Sequence, residues 1–125
     1  MNFPQELFYT KDHEWISFEN QHALVGITDF AQKELGDIVY LDIPSLNKII
    51  LAEGVFGTVE AVKTVSDLFM PVTGKIIEVN LMIDKTPELI NQEPYSTWMV
   101  KVLLTSDDNK GSLLTADEYK ALIGK

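Results

Sequence analysis

Phe56-Gly57-Thr58-Val59-Glu60-Ala61-Val62-Lys63-Thr64-Val65-Ser66-Asp67-Leu68-Phe69-Met70-Pro71-Val72-Thr73-Gly74-Lys75-Ile76-Ile77-Glu78-Val79 is the stretch from which the fold class is read. From Phe56 to Val62 the side chains alternate, with Phe56, Thr58, Glu60 and Val62 opposed to Val55, Gly57, Val59 and Ala61, the two-residue period of a strand. Thr64 to Phe69 keeps the β-branched and aromatic composition, Met70 to Gly74 interrupts it, and Lys75 to Val79 alternates again. Strands this short and this closely spaced leave no room for the crossover helices of βαβ units. They indicate a sandwich or a small barrel.

The flanking sequence extends that reading. Phe8 to Phe18 and Ala23 to Ile27 read as strands, and Thr28 is suited to cap a short helix over Asp29 to Leu35 that Gly36 would stop in a left-handed conformation. Asp37 to Ile43 alternates as a buried strand, Pro44-Ser45-Leu46-Asn47 supplies turn chemistry, and Ile49 to Leu51 is followed by a turn at Ala52-Glu53-Gly54. Further on, Thr86 before Pro87 predicts a helix start within Asp84 to Asn91. Trp98 to Thr105 reads as another strand and Ser106-Asp107-Asp108-Asn109 as a polar loop. Thr115 and Glu118 have capping-box spacing for a C-terminal helix over Ala116 to Ile123, with Gly124 past its end. No repeat of fixed period divides the chain, so one domain over residues 1–125 is expected, mainly β with a few short helices.

Composition narrows the function. The chain has 125 residues, 46% of them apolar, enough for one core. Ten basic residues, all lysine, against 19 acidic ones give a net charge of −9. A surface for DNA or RNA needs clustered positive charge and favours the guanidinium fork, so a nucleic-acid partner is not expected. An acidic chain of this kind suits basic surfaces on protein partners. There is no cysteine, hence no disulfide, no thiolate metal site and no cysteine nucleophile. No apolar run approaches the length of a membrane span, and Met1 to Thr10 lacks the pattern of a signal peptide. The expectation is a cytoplasmic monomer, or a protein of the mitochondrial matrix in a eukaryote.

Candidates for chemistry are few. His13 and His22 lack metal-ligand spacing, so no metal site is expected. No serine sits in a G-x-S-x-G elbow, and the glycines match no phosphate-loop pattern. The carboxylates Asp12, Glu14, Asp37, Asp42, Glu53, Glu60 and Asp67 read as a solvated face in preference to a general acid and base pair, since spacing alone brings no two of them together. Lys63 stands between two β-type runs without the Gly or Asn of a tight turn, and on spacing alone nothing separates it from the other nine lysines.

Several segments, in order along the chain, resemble the H protein of the glycine cleavage system. They are Tyr9-Thr10-Lys11-Asp12-His13-Glu14-Trp15-Ile16, Val25 to Gln32, Leu35 to Tyr40, Phe56 to Asp67, Pro71 to Asn80, Pro87 to Asn91 and Pro94-Tyr95. The resemblance implies a lipoyl/biotinyl-type hybrid barrel-sandwich of short antiparallel strands. It implies that Lys63, at a hairpin tip, carries lipoic acid as N6-lipoyllysine, and that the chain is a carrier and not an enzyme. The arm would carry the aminomethyl group of glycine from the PLP-dependent glycine decarboxylase to the tetrahydrofolate-dependent aminomethyltransferase. Dihydrolipoamide dehydrogenase would reoxidise it, and a lipoate ligase or octanoyltransferase would install it. The redox sulfurs would then belong to the cofactor, which accords with the absence of cysteine.

Within the matching motifs, Glu14 and Asp67 are candidates to contact the arm, and Glu60, three residues before Lys63, is a candidate for recognition by the lipoylating enzyme. A second role, relay of lipoyl or octanoyl groups to other lipoyl domains, would use the same lysine. A biotin carrier is disfavoured because Val62 and Thr64, not methionines, flank Lys63. The chain departs from the family pattern at Ala61, where serine is common, at Pro44-Ser45-Leu46-Asn47, and before Trp98, where a residue and a glycine are missing.

Overall fold

The structure is a computed structural model, which describes residues 1–105 and 112–125. The polar loop expected at Ser106 to Asn109 lies outside them. In chain order the elements are β1 (Phe8–Tyr9), β2 (Glu14–Glu19), β3 (His22–Ile27), α1 (Asp29–Leu35), β4 (Ile38–Asp42), β5 (Ile49–Ile50), β6 (Val55–Ala61), β7 (Val65–Phe69), β8 (Gly74–Val79), α2 (Leu81–Lys85), α3 (Leu89–Gln92), β9 (Val100–Leu104) and α4 (Ala116–Leu122). The described strands form two antiparallel sheets, one of six strands in the order β1-β2-β3-β9-β8-β5 and one of three in the order β4-β6-β7. This is the mainly β barrel-sandwich with short helices and a C-terminal helix that the sequence predicts.

The two sheets enclose the larger core, where Ile16, Val25, Phe56, Val59, Leu68, Ile76, Val100 and Val102 meet with almost no exposure. Burial of these branched side chains is what holds the short strands together, since each fully buried one contributes about 1.5–3 kcal/mol. A second cluster gathers Phe3, Leu7, Tyr9, Trp15, Ala116 and Tyr119 beneath α4. Tyr9 and Leu114 exchange two backbone hydrogen bonds of 2.8 Å there, and the Tyr9 and Tyr119 rings stack at 5.0 Å.

Four expectations are corrected. Phe8 to Phe18 is not one strand but β1 and β2, paired antiparallel across a turn in which His13 has φ of +69°. Strict alternation fails in β6, where an irregularity between Val55 and Gly57 lets Phe56 join Val59 and Ala61 in the interior. It fails likewise in β4, an outer strand, where Ile38 and Leu41 are both buried while Val39 and Tyr40 face solvent. Bulges insert one residue into a strand and shift the facing pattern of all that follows, so a two-residue period cannot survive them. Finally, Thr86 ends a helix instead of starting one. Asn80 caps α2, accepting from the Met82 N–H at 3.1 Å, Thr86 follows the last turn, and α3 begins only at Leu89.

The remaining helix signals act as read. The Thr28 hydroxyl accepts from the Ala31 N–H at 3.1 Å, and Gly36, with φ of +81°, closes α1 by donating to the Gln32 carbonyl. Thr115 and Glu118 form a reciprocal capping box at the start of α4.

Candidate functional site

β6 and β7 form the hairpin whose tip carries Lys63. Thr58 pairs with Asp67, Val59 with Ser66 and Glu60 with Val65, and the turn closes with a 2.8 Å bond from the Ala61 N–H to the Thr64 carbonyl. A second bond, from the Val62 N–H to the Asp37 carbonyl at 3.0 Å, ties the tip to the segment between α1 and β4. None of Val62, Lys63 and Thr64 has positive φ. The tip therefore needs neither Gly nor Asn, which is why turn composition could not reveal it.

Lys63 is exposed and forms no ion pair among the described residues. Its stem passes over Gly36, where an added Cβ would lie 3.1 Å from the lysine Cε and 3.6 Å from Nζ. The bare glycine thus serves both the left-handed end of α1 and the close approach of the lysine. Val62, 75% exposed, and Val65 flank the tip with exposed apolar surface.

A cleft of about 190 Å³ opens between the hairpin and α1, lined by Asp12, His13, Glu14, Glu34, Ser66 and Asp67 together with the apolar Ile27, Ala31, Leu35, Val59 and Leu68. Glu14 and Asp67, the two arm-contact candidates, therefore come together on its walls. Lys63 and Glu60 do not line it. Glu60 is exposed on β6 between Tyr40 and Val65, on the outer surface of the hairpin.

Glu14 is 2% exposed, although glutamate is ordinarily a surface residue. The Thr10 hydroxyl donates to one oxygen at 2.9 Å and the Phe69 N–H to the other at 3.0 Å. Burial nevertheless dominates and pushes its pKa up to about 8, against the lowering effect of both hydrogen bonds. Thr10 also accepts from the N–H groups of Asp12 and Glu14, so one side chain shapes the turn and aims the carboxyl. Asp67 is exposed at the mouth of the cleft.

One wall has a support that sequence reasoning missed. The Tyr119 hydroxyl, fully buried, lies 2.9 Å from both the Thr28 hydroxyl and Nδ1 of His13. Burial lowers the His13 pKa, favouring the neutral ring in this contact. Thr28 was legible only as a helix cap. Its link to a tyrosine 91 residues away has no local signal.

An antiparallel barrel-sandwich with an exposed lysine at the tip of a hairpin whose flank lines a cleft with a buried carboxyl has the layout of a carrier-type domain. The comparisons give the family. The profile described as Glycine cleavage H-protein matches residues 7–125. A glycine cleavage system H protein of Bacteroides fragilis is 48% identical over 124 residues, covering 98% of each chain. One from Staphylococcus epidermidis is 46% identical over 126 residues, covering all of both. The crystal structure of a glycine cleavage system H protein from Mycobacterium marinum superposes with a TM-score of 0.89 at 38% identity, covering 98% of this chain and 99% of that one. The chain belongs to the glycine cleavage H-protein family.

Proposed function

We propose that the chain, acting as one unit over residues 1–125, is the lipoyl carrier of the glycine cleavage system. It conveys the aminomethyl group of glycine from the PLP-dependent glycine decarboxylase to the tetrahydrofolate-dependent aminomethyltransferase. The observation that carries the reading is Lys63, exposed on a hairpin tip and free of ion pairs among the described residues, in a chain matched to this family from end to end. The lipoyl group, bound in amide linkage to Nζ, supplies a dithiolane able to take up a carbon unit together with two electrons. The protein itself does no bond-making and is a carrier, not an enzyme.

The residues around the tip suit this task. The bond from Val62 to Asp37 and the pairing of β6 with β7 hold the lysine at a fixed place, so that an enzyme meets the same geometry at each visit. Glu60, exposed on the outer surface of the hairpin, is open to contact by the lipoate ligase or octanoyltransferase. The cleft offers Glu14 and Asp67 to an amine. A neutral carboxyl at Glu14 can yield its proton and become the partner of an ammonium once the cation is present, because the opposite charge offsets the cost of ionising in a buried site. The apolar walls at Leu35, Val59 and Leu68 exclude water from that pair. Reoxidation falls to dihydrolipoamide dehydrogenase, and the compartment is the cytoplasm, or the mitochondrial matrix in a eukaryote.

The test is intact-mass spectrometry with peptide mapping after incubation with lipoate ligase, lipoate and ATP. A single lipoyl amide confined to Lys63 is the expected result. An unmodified folded protein, or modification at another lysine, would overturn the reading.

A further inference from the structure

We propose that Asn91, on α3, is a positioning residue for Lys63: it fixes the linker of residues 36–38, on which the hairpin tip rests, and so sets where the lysine is offered for modification. The inference rests on the carrier reading, because a lysine that an enzyme must meet is one that needs a fixed place.

Both N–H donors and the oxygen of the Asn91 side chain are committed. Its Oδ1 accepts from the Ile38 N–H at 2.9 Å, and Nδ2 donates to the Gly36 carbonyl at 2.8 Å and to Oε1 of Gln32 at 2.9 Å. These partners also fix which way the amide faces, since a backbone N–H can only donate and a carbonyl only accept. Gln32, 8% exposed, passes the tie on to the start of α1 by donating to the Asp29 carboxylate at 2.7 Å. α3 itself is a single turn with anchors of its own, the buried Ile90 and the Thr97 hydroxyl, which donates to the Leu89 carbonyl at 3.3 Å.

The segment that these bonds hold has little backbone preference to hold it. Gly36 has φ of +81° and ψ of −157°, a region open in practice to glycine alone. Its N–H closes α1, while its carbonyl and the Ile38 N–H both meet Asn91. Between those two groups lies the Asp37 carbonyl, which accepts from the Val62 N–H at 3.0 Å, and the Lys63 stem lies over Gly36. Asn91 thus grips the linker on both sides of the carbonyl that supports the tip. Without the amide, the linker loses its ties to α3 and the tip can shift with it. A displacement of about 1 Å at a reacting group is enough to cost about 10²-fold in rate.

The test compares wild type with Asn91→Ala, which removes the amide, and with Asn91→Asp, which keeps its shape but has no N–H to donate at neutral pH. Leu7→Ala is the control, in the apolar cluster that the hairpin does not join. Exchange of the Val62 amide is followed by NMR on the unlipoylated chain, and lipoylation by lipoate ligase with lipoate and ATP is followed with the chain as varied substrate. We expect both Asn91 variants to fold and to exchange the Val62 amide at least about tenfold faster, while Val59 and Val100 stay protected. They should lower kcat roughly tenfold with KM within about twofold, because the surface that the ligase meets is unaltered. Leu7→Ala should lower the thermal melt at least as far and leave Val62 exchange and kcat at wild-type values. Wild-type exchange at Val62, or wild-type kcat, in the folded Asn91 variants would overturn the proposal. So would an equal loss of kcat in Leu7→Ala, which would make the effect one of stability at large, and so would failure of both Asn91 variants to fold, which would assign Asn91 to the fold as a whole. Failure of the carrier reading is seen separately, as absence of a lipoyl amide on Lys63 of the wild-type chain, and leaves the Val62 result decisive because exchange is measured without the arm.

Discussion

At the scale of single residues, Lys63 and Glu14 illustrate opposite relations between side chain and fold. Lys63 is exposed at a tip whose turn is closed by backbone bonds, so Lys63→Arg should alter unfolding free energy by less than about 0.5 kcal/mol in denaturant titration while eliminating lipoylation by intact mass. Glu14 is buried, and its effect on stability has an unusual sign. Its pKa rises from an ordinary 4.5 to about 8 on folding, so between those values the folded protein holds a proton that the unfolded chain has lost. Stability should therefore fall as pH rises from about 5 to 8, the reverse of an ion-paired carboxylate. Each tenfold change in the acid constant is worth about 1.4 kcal/mol, so the loss amounts to a few kcal/mol at most. Glu14→Gln should flatten this part of the profile in thermal melts across pH. A wild-type profile that rises over the same range would show that Glu14 stays ionised. Neither property is legible in the sequence, where both residues are ordinary charged side chains in β-type runs. The Phe69 N–H that meets the buried Glu14 carboxyl belongs to β7, an element far along the chain.

At the scale of elements, legibility followed the range of the determining interaction. The α1 cap at Thr28, its stop at Gly36 and the α4 capping box at Thr115 and Glu118 rest on contacts within four residues, and each acts as read. The bulges in β4 and β6 were not legible, because they arise from fitting two strands against the same core and leave no compositional trace. Thr86 misled for a related reason: Asn80 offers an equivalent cap five residues before the end of α2, and which of two capping residues is used depends on where Ile83 and Ile90 must point to be buried. The join between α4 and the cleft wall can be tested directly. Tyr119→Phe keeps the ring that stacks on Tyr9 but removes the hydroxyl shared by Thr28 and His13. We expect a loss of about 1–3 kcal/mol in denaturant unfolding, from the buried Thr28 hydroxyl and the half-buried His13 ring deprived of a partner. The His13 ring should also show altered chemical shifts by NMR.

For the whole molecule, the two apolar clusters predict unequal dependence on the C-terminus. Removing residues 115–125 takes away Ala116 and Tyr119 and uncovers Phe3, Tyr9 and Trp15, so stability should drop by at least about 3 kcal/mol. Hydrogen exchange should then rise in residues 3–15 while β6 and β7, which pack in the other cluster, keep their protection. Uniform loss of protection would mean that the clusters act as one. What the sequence by itself determined is the class of fold, the absence of thiol chemistry and the family, because these follow from period, composition and motifs that survive without knowledge of contacts. What only the tertiary structure decided is that Glu14 and Asp67 share a cleft, that Glu60 stands outside it, and that Tyr119 braces its wall. Those facts depend on the pairing of strands and helices distant in sequence, and a distance in space between such residues has no counterpart in their spacing along the chain.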